Sequence, residues 1–458
     1  MPIIRLSPKS LPLAAAVTGL SLLLPASSAA FAPGKQIFPY PYTQEDLPNG
    51  LRVITVPTDY PNIVALLIVV SAGSRNEVEP GKSGFAHLFE HLMFRGTREF
   101  PPEKYTAELK NAGAASNAFT TDDFTGYHTT FSKEDLPRIL SMEADRFQHL
   151  EYTPEAFKTE TLAVLGEFNK NSASPTSKLF EVLRATAFKT HSYRHTTMGF
   201  LADIQAFPNE YDYSRQFFGR YYRPEYTTII VAGDVDPKRV RSLVEERWGA
   251  WQRGNYKPEI PAEPPQDAPR TAHIDWPSPT LPWVAVSYRG PAYSDTTEDT
   301  AALDAIARLG FDESSPLSQK LVIQDQSVDA LRALPPGKVD PELFTILARV
   351  KKPADMTSVE QQVVATAQAF AVKPVDKTKL DALKEHIRYE FALQLDNSEA
   401  IAMTIGQYVA LRRTPESMNL YYDQYAKLTP EDIQRVAKKY LIEQGRTVVT
   451  LTSVGGAK

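Results

Sequence analysis

The segment 84–94 carries two histidines and a glutamate in the order H-x-x-E-H, at His87, Glu90 and His91. If this segment is helical, four residues make slightly more than one turn, so the two imidazoles lie on one face. Two imidazoles on one face can bind a single zinc ion, and a neighbouring carboxylate can take a proton from a water that zinc acidifies. The motif therefore indicates a hydrolytic metal site, although two packed histidines on an apolar helix would explain it equally well.

A catalytic zinc usually has three protein ligands and one open position. Cysteine is absent from the sequence, so a third ligand must be His, Asp or Glu. A predicted helix at 154–169 offers Glu160 and Glu167, which are seven residues apart and therefore share a face. Spacing alone does not choose between these two acids, and a solvated helix face is the alternative interpretation for both.

The elements that position these residues mix strand and helix patterns without strict alternation. Strands are predicted at 51–56, 63–70 and twice within 114–131, and helices at 83–94, 102–113 and 154–169. Such a mixture is typical of an α+β fold with layered helices and sheets rather than of a doubly wound parallel sheet.

Residues 254–270 contain five prolines and few apolar side chains, which is typical of an extended linker. The linker divides the chain into two parts of similar length, 38–253 and 271–458, and the first part contains the H-x-x-E-H motif. A helix pattern followed by a strand pattern occurs at both 208–236 and 429–455, which suggests a duplication.

Residues 1–30 have the pattern of a secretory signal peptide, in which Arg5 and Lys9 precede an apolar run at 11–24. We expect an exported chain, periplasmic or secreted after cleavage; an uncleaved N-terminal anchor is the alternative. No later run is apolar enough to span a bilayer, so no stable membrane insertion of the mature chain is expected. The formal charge of −5, from 50 basic and 55 acidic residues, does not favour a nucleic-acid partner.

Several motifs together resemble the pitrilysin/insulinase family of zinc peptidases, which includes mitochondrial processing peptidase and many bacterial peptidases. They are Leu47-Pro-Asn-Gly-Leu-Arg-Val, Ser71-Ala-Gly-Ser74, the H-x-x-E-H segment continued to Gly96-Thr97, Tyr221-Tyr-Arg-Pro224 and Gly233-Asp-Val-Asp236. The resemblance covers nearly the whole first half and is diffuse in the second half. It implies two α+β domains of related fold, a catalytic zinc-binding peptidase domain at 38–253 and a second, non-catalytic peptidase-like domain at 271–458.

The resemblance also implies a set of roles at the metal site. One zinc ion per chain would be bound by His87, His91 and Glu167, with Glu90 as the catalytic base. Glu160 would support these ligands from behind. This carry-over, and not the spacing, is what assigns Glu167 rather than Glu160 as the third ligand.

For substrate binding, the resemblance assigns Asn117 and Ala118 to an edge strand that pairs with an extended peptide backbone. Without the family context, the pattern around the two residues indicates only an ordinary hairpin. The function implied is a zinc-dependent metalloendopeptidase that hydrolyses extended or unfolded peptides inside an enclosed chamber. The alternative is a non-cleaving peptide-binding or scaffold subunit of a peptidase-like complex.

The second half departs from the family at two positions. Active members often carry an Arg and a Tyr, seven residues apart, that hold the substrate backbone near the zinc. The matching positions here are Val322 and Asp329, and neither side chain can donate the corresponding hydrogen bonds. We therefore expect a dimer in which a sister subunit supplies the missing Arg/Tyr pair, whether that subunit is a second copy or a different chain.

Overall fold

The computed structural model describes residues 36–454, and the predicted signal peptide at 1–30 lies outside them. The first half forms six strands. They are β1 (Thr43–Asp46), β2 (Arg52–Pro57), β3 (Ile63–Val70), β4 (Ala115–Thr120), β5 (Thr125–Ser132) and β6 (Thr227–Gly233). These strands make one mixed sheet in the order β1-β2-β6-β3-β5-β4, in which only β2 and β6 are parallel neighbours. In the described part of the chain, β4 pairs with β5 alone and so forms an edge.

Eight α-helices accompany this sheet in the described part of the first half. They are α1 (Phe85–Leu92), α2 (Pro102–Asn111), α3 (Leu136–His149), α4 (Pro154–Ser172), α5 (Pro175–Ala187), α6 (Leu201–Ala206), α7 (Tyr211–Tyr221) and α8 (Pro237–Trp248). The helices predicted at 83–94, 102–113 and 154–169 are confirmed, with ends that differ by up to three residues. Local chemistry explains the start of α4, where Thr153 accepts a hydrogen bond from the Ala156 amide and Pro154 occupies the first turn.

The second half repeats the plan with five strands and seven helices among residues 270–454. The strands are β7 (Arg270–Trp276), β8 (Trp283–Arg289), β9 (Val328–Leu334), β10 (Leu343–Val350) and β11 (Arg446–Ser453). The helices are α9 (Asp299–Phe311), α10 (Pro316–Ser318), α11 (Met356–Val372), α12 (Lys377–Leu393), α13 (Ser398–Arg412), α14 (Glu416–Lys427) and α15 (Pro430–Tyr440). A six-residue π-helix, Gln319–Gln324, follows α10.

Apart from β1, which has no counterpart in the second sheet, the two sheets have the same topology. The second sheet has the order β7-β11-β8-β10-β9, and its strands β7 and β11 are parallel, as β2 and β6 are in the first sheet. The remaining pairs are antiparallel in both sheets. Strands β6 and β11 hold equivalent places, and each follows a helix, as the repeated helix-strand pattern predicted. The predicted α+β fold with two related domains is confirmed.

Each sheet is covered on one face by a helix from the other half of the chain. Helix α5 packs against β7 and β11 through the buried residues Leu179 and Leu183. In return, α13 packs against β3 and β6, where Ile401 and Ile405 are buried. Residues 254–269, which connect the halves, form neither helix nor strand. From Ile37 onward, the described residues therefore belong to one compact unit, while the domain boundaries at 38–253 and 271–458 stay a prediction.

The alternation of side chains along β3 separates two cores. Val64, Leu66 and Ile68 face the core that contains α1 and α4, whereas Leu67 and Val69 face the core beneath α13. The candidate ligands on α1 therefore lie on the opposite face of the sheet from α13. Within residues 36–454, no helix is long and apolar enough to cross a membrane.

The packing of α13 on β3 can be tested at Gly406. A Cβ atom at this position would lie 2.4 Å from Cδ2 of Leu67, a side chain that is only 1% exposed. We expect Gly406→Ala to lower the free energy of unfolding by about 1–3 kcal/mol, because the added methyl group overpacks this contact.

The matched control for Gly406→Ala is Gly166→Ala, at another glycine within a helix, α4. Beyond its own helix, nothing lies within 4 Å of the added Cβ, so this change should raise stability by up to about 1 kcal/mol. Urea unfolding of both variants measures the difference. Equal stabilisation by the two substitutions would contradict the close packing of α13 on the first sheet.

Candidate metal centre

Helix α1 places the two histidines of the H-x-x-E-H motif on one face. The ring centroids of His87 and His91 lie 4.9 Å apart, with an angle of 79° between the ring planes. The opposite side of α1 carries Phe85, Phe89 and other apolar side chains that are fully buried in the first core. Burial of this apolar side sets the rotation of α1 and directs both imidazoles toward α4, against which α1 packs.

Glu167 on α4 completes a cluster of three possible ligand atoms. Its Oε2 atom lies 3.7 Å from Nε2 of His87 and 3.4 Å from Nε2 of His91. These distances are longer than a normal hydrogen bond of about 2.7–3.2 Å. The distance from His91 lies within the separation of about 3.3–3.6 Å between neighbouring ligand atoms around a tetrahedral zinc ion, and the distance from His87 is slightly longer. Among the described residues, this is the only group of three or more ligand-type side chains that could close around one ion.

The electrostatics of the cluster also fit a cation. Burial, with a smaller contribution from His91, lowers the pKa of His87 to about 4, so its imidazole is neutral near pH 7. A neutral imidazole offers a lone pair, and Glu167 adds a carboxylate only partly screened by solvent. Three electron-rich atoms thus converge without hydrogen bonds between them, an arrangement that a divalent metal ion would stabilise.

Glu160 lies behind the cluster rather than within it. Its Oε2 atom is 3.4 Å from Nδ1 of His91, the ring nitrogen that faces away from Glu167. Its other oxygen forms an ion pair with Arg95. The Glu160 side chain is only 7% exposed, so Arg95 compensates a carboxylate that is otherwise shielded from water. Glu160 is therefore placed to orient the ring of His91.

Glu90 connects α1 with the edge strand. The hydroxyl group of Thr120, the last residue of β4, donates a hydrogen bond of 2.6 Å to Glu90 Oε2. Burial raises the pKa of Glu90 above its ordinary value, and this hydrogen bond opposes the shift. A carboxyl group with a raised pKa is better suited to accept a proton and release it again near neutral pH.

Asn117 and Ala118 lie in the middle of β4, opposite His128 and Tyr127 of β5. Ala118 is buried against the core beneath α1, and Asn117 is exposed. Since β5 is the only strand that pairs with β4 among residues 36–454, the other side of β4 can accept a further extended segment. The predicted edge position of Asn117 and Ala118 thus agrees with the place of β4 in the sheet.

Two contacts of the candidate site were not predicted, that of Thr120 with Glu90 and that of Arg95 with Glu160, although the sequence contains a signal for each. Thr120 follows Ala118 by two residues, so strand alternation directs both side chains to the same face. Arg95 follows His91 by four residues, which is the spacing of neighbours on a helix. Neither signal is specific without the position of Glu90 and of Glu160, which the tertiary structure supplies.

The two positions at which active relatives carry an Arg and a Tyr, Val322 and Asp329, lie in the second half of the chain. Val322 lies in the π-helix and is partly buried against the second core. Asp329 lies on β9, and its carboxylate pairs with Arg349 at 3.2 Å. Val322 and Asp329 therefore cannot donate the hydrogen bonds that an Arg and a Tyr would supply at these positions.

The duplicated α+β architecture defines a two-part fold in which the first half carries a possible metal cluster. Residues 52–199 match the family model described as Insulinase (Peptidase family M16). Residues 210–387 match the model described as Peptidase M16 inactive domain. The two models together span well over half of the sequence, and the chain belongs to the pitrilysin/insulinase family, as the sequence motifs predicted.

Known relatives are similar over both halves. The zinc protease PqqE of Helicobacter pylori is 29% identical over 412 residues, which cover 88% of this chain and 91% of that protein. A probable mitochondrial-processing peptidase subunit beta of Schizosaccharomyces pombe is 25% identical over 425 residues, covering 90% and 91%. The crystal structure of a protease from Helicobacter pylori has a TM-score of 0.84 and 28% identity, covering 90% of this chain and 99% of that chain.

The placement of Glu160 leads to a prediction about metal affinity. We expect Glu160→Gln to weaken zinc binding by about 10- to 100-fold, because a neutral amide no longer orients His91 or pairs with Arg95. Competition with a chromophoric chelator measures this affinity. Glu155→Gln, an exposed position in the first turn of the same helix, is the matched control and should bind zinc like the wild type. Equal affinities for all three proteins would argue against a supporting role for Glu160.

Proposed function

We propose that this chain is a zinc-dependent metalloendopeptidase that hydrolyses extended or unfolded peptides. The observation that carries the proposal is the hydrogen bond between Thr120 of the edge strand and Glu90 of the helix that bears both histidines. This contact supports the proposal, because it joins Glu90, on the helix that bears both histidines, to the last residue of the edge strand along which a peptide would bind. Membership of a family that includes zinc proteases supports the same conclusion.

In the proposed site, each side chain has a separate task. His87, His91 and Glu167 would hold the zinc ion, and Glu160 would orient His91 through Nδ1. When bound, such an ion would supply Lewis acidity. Glu90 would take a proton from the attacking water and then donate it to the leaving amine.

The free edge of β4 would bind the substrate backbone. Main-chain hydrogen bonds along Asn117 and Ala118 would align the peptide as an added strand, which requires an extended segment and reads little of its sequence. This requirement explains the proposed preference for unfolded peptides. A chamber enclosed together with a partner subunit would exclude folded proteins from the same edge.

A second candidate function is a non-cleaving peptide-binding or scaffold subunit. The absence of Arg and Tyr at Val322 and Asp329 favours it, because this chain lacks two of the donors that hold a substrate in active relatives. The intact group of His87, His91 and Glu167 favours the peptidase. We therefore propose that a sister subunit contributes the missing pair, and that the chain acts as the metal-bearing half of a dimer.

The proposed place of action is outside the cytoplasm. The signal-like pattern of residues 1–30 supports export to the periplasm or medium, and its cleavage would release the remaining chain. The proposed partners are peptide substrates and the sister subunit. A nucleic-acid partner is not proposed, given the acidic balance of the sequence.

The role of Glu90 can be separated from metal binding. We expect Glu90→Gln to retain zinc but to lower kcat by about 10²- to 10⁴-fold, because the amide cannot take the proton from water. Cleavage of a quenched fluorescent peptide and metal analysis of the same sample measure both properties. Glu103→Gln, on the exposed side of α2, is the control and should retain full activity. Substantial turnover by the Glu90→Gln variant would exclude Glu90 as the base.

The subunit hypothesis predicts a dependence on assembly. We expect the isolated monomer to bind zinc but to cleave peptides slowly. Addition of a partner that carries the Arg/Tyr pair should raise kcat/KM by at least about tenfold, because the pair positions the substrate. Sedimentation velocity gives the assembly state, and peptide cleavage is measured while a partner that carries the pair is titrated into the isolated chain. A second copy of this chain has the same Val322 and Asp329 and is the negative control. Full activity in a sample shown to be monomeric would contradict the hypothesis.

A further inference from the structure

Glu77 is a fully buried acid that contacts the N-terminal end of α1, the helix that bears His87 and His91. It lies in the segment that connects β3 with α1, and its side chain has no exposed surface. One carboxylate oxygen accepts a hydrogen bond of 2.6 Å from the amide of Gly84. The other oxygen accepts one of 2.7 Å from the amide of Ala86. Gly84 is the residue that directly precedes α1 and Ala86 lies in its first turn, so both amides are among the N-terminal N–H groups that have no partner within the helix.

The helix itself provides the electrostatic compensation for this acid. The one ion-pair contact of Glu77 among the described residues is with His195, whose Nδ1 atom lies 3.8 Å away. Burial lowers the pKa of His195, so this ring is neutral near pH 7. Burial raises the pKa of Glu77 to about 8, and the two backbone hydrogen bonds oppose that shift. The N-terminal end of α1, with its partial positive charge, is thus the main group that favours the anion.

The loop around Glu77 has little freedom to adjust. Gly84 has a φ of +93°, and a Cβ atom at this position would lie 2.6 Å from the carbonyl oxygen of Met198. The residue before it, Ser83, donates from both its amide and its hydroxyl group to the carboxylate of Asp203. These contacts hold the loop that enters α1, while Glu77 holds the first turn of the helix directly.

The position of this turn matters for the candidate ligands. His87 directly follows Ala86 and lies in the first turn, whereas His91 lies one turn later. A shift of the first turn would therefore change the distance of His87 from Glu167 more than that of His91. Since α1 has only eight residues, its isolated stability is marginal and its ends must be held by tertiary contacts.

We infer that Glu77 is a positioning residue for the metal centre, which acts by fixing the N-terminal turn of α1 and thereby the ring of His87. This inference rests on the proposed function, because it presupposes that the cluster binds zinc. Glu77 touches neither the possible ligands nor the substrate edge. Its substitution should change metal affinity and kcat rather than KM.

The experiment compares Glu77→Gln with Glu79→Gln in zinc-buffered solution at about pH 9, above the pKa of Glu77, so that the wild-type carboxylate is charged. The Glu77→Gln substitution keeps the size of the side chain, but the new NH₂ group cannot accept from one of the two amides. Glu79 is 41% exposed and pairs with Arg220, so it is the matched control two residues away. The readouts are the zinc dissociation constant, the zinc-induced shift in Tm, and kcat and KM at saturating zinc.

We expect Glu77→Gln to raise the zinc dissociation constant at least about tenfold and to lower kcat, with KM within about twofold of the wild type. Glu79→Gln should leave all of these unchanged. Equal zinc affinities of the wild type and the Glu77→Gln variant would overturn this inference alone. Failure of the wild type to bind zinc would overturn the proposed function and this inference with it.

If Glu77→Gln does not fold, Glu77→Asp decides the question. Aspartate keeps the charge but is shorter by one methylene group, so its carboxylate cannot reach both amides without a shift of the loop. We expect a folded protein with zinc affinity again reduced at least about tenfold. Wild-type affinity in the Glu77→Asp variant would overturn the inference.

Discussion

The candidate site depends on the convergence of three possible ligand atoms that come from two separate helices. The Nε2 atoms of His87 and His91 and one oxygen of Glu167 lie within 4.8 Å of one another without mutual hydrogen bonds. Such an arrangement is unfavourable without a cation, so the surrounding packing must maintain it. The packing of α1 against α4 provides this constraint, because α1 is too short to keep its position alone.

The duplicated architecture shows that the same topology can carry different chemistry. In the second half, α9 occupies the place of α1, between the corresponding strand and hairpin of its sheet. It contains no histidine, and in the described part of the chain the only metal-type cluster is in the first half. The second half nevertheless supports the first structurally, since α13 covers one face of the first sheet and α5 covers one face of the second. Loss of either half would expose a buried apolar face of the other.

The edge strand β4 connects the two tasks proposed for the first half, which are metal binding and the binding of a peptide backbone. An unpaired strand edge is normally a risk for aggregation, and proteins that retain one usually protect it or use it. Here the edge strand ends at Thr120, whose hydroxyl group contacts Glu90 on α1. A peptide added along Asn117 and Ala118 would therefore extend past the candidate base. In the proposed function, this placement would give the free edge a role in binding substrate that an ordinary hairpin does not have.

The sequence by itself determined the local elements of the site, because helix and strand periodicities depend only on neighbouring residues. The shared face of His87 and His91 follows from their spacing, and so does that of Glu160 and Glu167. Spacing did not separate the two acids, and only the resemblance to the family assigned Glu167 as the ligand. The tertiary structure gives the physical difference: Glu167 lies near both Nε2 atoms, while Glu160 contacts the opposite side of His91 and Arg95, because α4 packs against α1. It also decided the exchange of α5 and α13 between the two sheets. Contacts between residues hundreds of positions apart leave no periodic signal in the sequence, and only the folded chain brings them together.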